Sequence, residues 1–128
     1  MDAQALAGFD LFADLTEDHV SRLSELFTEH RVLMGEQLTE KDDFGYSFFL
    51  VLGGQLRVQT DGTDVAQLGA GDHFGEMALV RGDRRSATVT ASETCRVAKM
   101  MAWDFSDLVE SYPVLAQRLE AVAAERDA

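Results

Sequence analysis

Asp61-Gly62 stands between two short alternating runs, QLRVQT (55–60) and TDVAQL (63–68), and this arrangement restricts the fold most strongly. A two-residue turn with φ > 0 matches the right-handed twist of the strands it joins, so the pair predicts a hairpin. Neighbouring segments have the same character. YSFFLVL (46–52) is dense in aromatic and aliphatic residues and stops at Gly53-Gly54, while SATVTA (86–91) and CRVAKMMA (95–102) supply two more β-rich runs. Many short strands closed off by glycine turns, over roughly 31–102, predict a closed antiparallel β-barrel or a jelly roll.

Both ends of the chain change period. In FADLTEDHVSRLSELFTEHR (12–31), Val20, Leu23, Leu26 and Phe27 fall on one face at 3.6 spacing. Thr16 suits the N-cap, Leu15 and Val20 suit a hydrophobic staple, and His30 and Arg31 suit the helix C-terminus. After the β region, Asp104 suits a cap for FSDLVES, Pro113 breaks the run, and PVLAQRLEAVAAER (113–126) resumes it. Leu115, Leu119, Val122 and Ala123 share one face of that last helix. The expected architecture is α+β in a single domain, 1–128: an N-terminal helical region (1–30), a β-barrel (31–102), and a hinge with two C-terminal helices (103–128).

The charge balance narrows the function. A formal net charge of -12 opposes non-specific nucleic-acid binding, because phosphate neutralisation needs a basic surface. No apolar run approaches the ~20 residues of a bilayer span, and MDAQALAGFD lacks the basic start of a secretory signal. The single cysteine, Cys95, cannot close an internal disulfide, so the expected location is cytoplasmic.

Against that acidic background, GEMALVRGDRRSAT (75–88) gathers Arg81, Arg84 and Arg85 beside Gly75-Glu76. Met77-Ala78-Leu79-Val80 is long enough for one helical turn, whose first N–H groups lack internal partners and attract anions. Arg85, with its planar fork, suits a phosphate at that point. Glu76 accepts hydrogen bonds only and repels a phosphate, so it should serve a different part of the ligand, such as a sugar hydroxyl. A phosphate attached to a ribose meets both demands. Arg81 and Arg84 read as solvated charges that raise the local potential.

FGEMALVRGDRRSATVTA resembles the phosphate-binding cassette of cyclic nucleotide-binding domains, the cAMP-binding modules of catabolite activator proteins and protein kinase A regulatory subunits. Phe74, Gly75, Glu76, Ala78, Leu79, Arg85, Ala87, Thr88 and Val89 match that family's pattern at the same spacing, and the likeness extends to FLVLGGQLRV and LGAGDHFGE. One position departs: Arg84 stands where many members carry proline. The resemblance implies a cassette over 74–88 in which Arg85 binds the cyclic phosphate and Glu76 the ribose 2′-hydroxyl. Backbone amides of Met77, Ala78 and Ala87 and the Ser86 hydroxyl complete the anion site, and Gly75 allows close approach. It further implies cAMP as ligand, cGMP as the second choice since Ser86 is compatible with it, and no cofactor. Leu119 and Val122 on a mobile C-terminal helix are the residues expected to face the base, and an effector protein is the expected partner of a monomer or weak dimer.

Other readings have distinct signatures. Glu76 and Arg85 could pair with each other around a tight turn, leaving a ligand-free protein-interaction module on the same barrel. A His73-x-x-Glu76 metal site lacks the further histidines of metal-binding barrels, since only His19 and His30 remain and both fall in the helical region. No serine or cysteine has a histidine at a nucleophile–base spacing, so no enzyme is expected. No basic recognition helix follows the sensor region, so a stand-alone sensor or a sensor fragment of a larger regulator is expected.

Overall fold

The computed structural model describes residues 1–39, 47–75, 87–115, 117, 118 and 121. The chain opens with α1 (Ala3–Ala7), a 3-10 turn (Asp10–Phe12) and α2 (Glu17–Ser24). Among the described residues eight strands follow: β1 (Thr28–Val32), β2 (Gln37–Thr39), β3 (Ser47–Gly53), β4 (Leu56–Thr60), β5 (Thr63–Leu68), β6 (His73–Phe74), β7 (Thr88–Ala91) and β8 (Cys95–Met101). Helix α3 (Ala102–Ser111) completes the named elements, and helical conformation resumes at 113 after Tyr112.

The strands form two four-stranded antiparallel sheets, ordered β1-β8-β3-β6 and β2-β7-β4-β5. This is the jelly-roll alternative of the expected fold, and the arrangement is open where a closed barrel was also foreseen. Among the described residues no ladder joins one sheet to the other, or β1 to β6, or β2 to β5. The Asp61-Gly62 hairpin forms as expected, with Asp61 at φ 54 and Gly62 at φ 80, and Thr60 opposite Thr63.

Strand β3 explains the layering. Side chains alternate across a strand, so an uninterrupted apolar run signals burial on both faces. Phe48 and Leu50 face the N-terminal helices, in a core with Leu6, Phe12, Leu23, Phe27, Ala98 and Met100. Phe49 and Val51 face the second sheet, in a core with Leu56, Phe74, Val89, Cys95 and Val97. The sheet holding β3 is therefore a middle layer between helices and strands.

Gly54 secures the turn after β3. At φ +86 it sits where a Cβ would lie 2.7 Å from both the Cys95 Sγ and the Thr94 carbonyl oxygen. The Cys95 thiol is 1% exposed and donates to the carbonyls of Gln55 and Glu93. Burial pushes this thiol above its ordinary range.

Three boundaries differ from the sequence reading. The helix that was expected to end near His30-Arg31 stops at Ser24, and both residues lie in β1, opposite Val97 and Arg96 of β8. Phe27 keeps its place in the core because the turn after α2 reorients the chain without exposing that side chain. Strand structure thus begins at Thr28 rather than 31. Asp104 lies within the first turn of α3 instead of capping it, since the helix starts directly after Met101. The Thr16 cap is present: its hydroxyl accepts from the His19 amide at 3.3 Å.

The segment after Pro113 docks on the N-terminal helices. Leu115 is 2% exposed and belongs to their core. The Arg118 guanidinium reaches the Asp14 carboxylate at 3.2 Å and donates to the Leu11 carbonyl at 3.5 Å. Among the described residues no helix is long and apolar enough to cross a membrane.

Candidate functional site

The candidate site is framed by the described points where the chain enters and leaves residues 76–86 of the expected cassette. Entry runs through a turn bound to β3. The Val51 amide donates to the Asp72 carbonyl at 2.8 Å, and the Gly71 amide returns to the Val51 carbonyl at 3.0 Å. Within the turn, the Asp72 carboxylate accepts from the Gly69 amide at 2.8 Å and the Asp72 amide donates to the Gly69 carbonyl at 3.0 Å. Gly71 adopts φ 96, a conformation that glycine alone takes without strain.

This turn delivers β6, whose register places Phe74 opposite Phe49 and His73 opposite Leu50. Phe74 is buried and its ring stacks on Phe49, with centroids 4.7 Å apart and planes 10° from parallel. His73 packs on the other face of the sheet, its ring 5.8 Å from that of Phe48. Anchored in this way, Phe74 fixes the departure point of Gly75, which turns the backbone at φ 93. A side chain at that φ would be strained, so the turn itself requires the glycine.

The exit lies on the other sheet. The Thr39 hydroxyl of β2 donates to the Ala87 carbonyl at 3.2 Å, and Thr88 begins β7, which is hydrogen-bonded between β2 and β4. Val89 then enters the inter-sheet core beside Phe74. The connection between Gly75 and Ala87 therefore leaves an edge strand of one sheet and joins an interior strand of the other.

Of the residues expected in the site, the structure places Phe74, Gly75 and Ala87 at these two gateposts. Glu76, Met77, Ala78, Arg85 and Ser86 lie outside the described residues, as do the expected base-facing residues Leu119 and Val122. Thr39 and Asp72 were not singled out from the sequence, yet both fix the frame. Asp72 carried a readable signal, because an aspartate in a glycine turn commonly hydrogen-bonds its own backbone. Thr39 carried none, since its role depends on β2 lying beside β7.

Known proteins resemble this chain in sequence and in fold. The family model described as the cyclic nucleotide-binding domain matches residues 29–112. A cyclic nucleotide-gated potassium channel of Rhizobium etli is 34% identical over 123 residues, 96% of this chain and 34% of that protein. The Pycsar effector protein PaPycTIR of Pseudomonas aeruginosa is 32% identical over 111 residues, 86% of this chain and 36% of that protein. The chain thus spans about a third of the length of these two relatives. Among solved structures, the Thermus thermophilus catabolite activator protein aligns with a TM-score of 0.80 at 29% identity, covering 91% of this chain and 57% of that one. The regulatory domain of Toxoplasma gondii protein kinase A, crystallised with cAMP, shares the fold with a TM-score of 0.86 at 22% identity, covering 96% of this chain and 48% of that one.

Proposed function

The chain belongs to the cyclic nucleotide-binding domain family, and from that premise we propose that it binds cAMP, with cGMP as the weaker alternative. The observation that carries this reading is the spacing Gly75-Glu76…Arg85 between two structurally fixed gateposts: Gly75 at φ 93 and Ala87 tethered to Thr39.

Each residue has a distinct task. Arg85 supplies the charge and paired donors for the cyclic phosphate, and the amides of Met77, Ala78 and Ala87 and the Ser86 hydroxyl fill its remaining oxygens. Glu76 accepts the ribose 2′-hydroxyl proton and so favours a ribose over a deoxyribose. The helix following Pro113 closes over the base with Leu119 and Val122. Ligand drives that movement only to the extent that it contacts the closed state better than the open one.

The chain acts as a sensor or regulatory module, in cytoplasm, passing the lid's position to an effector protein. The buried thiol and the acidic composition are compatible with such a setting. A ligand-free interaction module is the competing reading, and thermal denaturation separates them. A nucleotide held at ~100 times its dissociation constant should stabilise the fold by about 2.7 kcal/mol. A midpoint that stays in place with cAMP, cGMP and other cyclic nucleotides would favour the interaction module.

A further inference from the structure

Residues directly opposite each other on an antiparallel ladder share a face, and one row of the middle sheet sets like charges side by side. Arg31 of β1 lies opposite Arg96 of β8, and a register shift after Val51 brings Gly53 of β3 opposite Arg96 from the other side. The adjacent row on this face, Ala98 and Leu50, belongs to the core beneath the helices. Arg31, Arg96 and Gly53 therefore stand at the margin of the helical layer. A groove of about 450 Å³ opens there, with Glu29, Arg31, Gly53, Gly54, Thr94 and Arg96 in its lining. A Cβ built on Gly53 would meet nothing within 4 Å, so the groove is open above this residue.

The charge of the groove is unbalanced. Like charges directly opposite on a ladder are destabilising. Glu29, diagonal to Arg96, accepts from its guanidinium at 3.1 Å and so answers one of the two arginines. That pair is exposed, 66% and 46% at its two side chains, and an exposed pair holds its members weakly. Among the described residues Arg31 has no carboxylate partner. Just beyond β1 the chain turns at Leu33 and Met34, which are 57% and 73% exposed. An uncompensated guanidinium thus stands between a floor without side chains and two exposed apolar residues, on a chain whose net charge is -12.

We propose that this groove is a docking site for an extended acidic segment of a partner protein. A glutamate or aspartate of that segment engages Arg31 and Arg96, whose planar forks match a carboxylate with paired hydrogen bonds. Apolar neighbours of that residue cover Gly53 and the Leu33-Met34 turn. Because the groove is open rather than enclosed, it suits a chain that passes through more than a small molecule that requires burial. The surface is separate from the expected cassette. Phe49, which lies opposite Phe74, is about 13 Å from Gly53 along β3 by strand geometry.

Backbone amide resonances of the ligand-free protein test the site when a blocked peptide of alternating glutamate and leucine is titrated in. Saturable shifts are expected at Arg31, Gly53, Gly54, Thr94 and Arg96, and none with the corresponding lysine–leucine peptide. Gly53→Leu fills the open floor and Arg31→Glu inverts the charge. Each should weaken binding of the acidic peptide at least about tenfold, and Arg31→Glu should admit the lysine–leucine peptide instead. Should Gly53→Leu lose its native resonances, Arg31→Glu decides alone, because that side chain is exposed. Absence of saturable shifts, equal shifts with both peptides, or shifts that survive Arg31→Glu would overturn the proposal. Glutarate that reproduces the full pattern at the same concentration would overturn the peptide assignment in favour of a free carboxylate. The titration uses no nucleotide, so a protein that binds no cAMP would defeat the proposed function and leave this result standing.

Discussion

Gly54 and Gly75 show how single residues set the site. Both lie at positive φ, 86 and 93, but for different reasons. Gly75 answers the turn out of β6, whereas Gly54 also answers a close approach, with backbone and sulfur atoms within 2.8 Å of the space a Cβ would fill. Two of those three neighbours are backbone atoms, which cannot swing aside as a side chain would. Gly54→Ala should therefore destabilise by on the order of 3 kcal/mol through combined strain and overpacking. Urea unfolding should show a lower midpoint with an unchanged slope. A midpoint equal to wild type would mean that the β3–β4 turn relaxes freely.

At the level of elements, the strands were more legible than the helix ends. SFFLVL (47–52) was readable as a strand because both its faces are buried, one under helices and one under the second sheet, and the Asp61-Gly62 hairpin was readable from turn chemistry. The end of α2 was not. Leu26 and Phe27 continue its apolar stripe, and only the five-residue register with β8, Thr28 opposite Lys99 through Val32 opposite Cys95, takes the chain out of the helix. That pairing joins residues far apart in sequence, so no local pattern announces it. The start of α2 was legible, because a cap is a local hydrogen bond. Thr16→Ala removes that acceptor for the His19 amide and should cost about 1 kcal/mol. Chemical denaturation should register the loss, whereas Thr16→Ser should stay close to wild type.

Across the whole molecule, the middle sheet joins the helical layer to the second sheet. Its helical face carries the layer on which the C-terminal segment rests, and its inner face anchors Phe74 at the cassette entry. The spacing Gly75-Glu76…Arg85 is legible in the sequence as a motif. The frame around it is not, because Thr39 and Asp72 gain their roles only when β2 lies beside β7 and the 69–72 turn lies against β3. The openness of the fold was equally hidden, since strand patterns specify which faces are buried and leave open whether the sheet edges meet.

We propose that Arg85 and Glu76 address two ends of one ligand. Calorimetric titration of cAMP into wild-type protein and Arg85→Ala tests it most directly. Leaving a bound phosphate without its charged partner costs roughly 2–5 kcal/mol, so affinity should fall by a factor from about thirty to several thousand. An Arg85→Ala protein that binds cAMP as tightly as wild type would contradict the account.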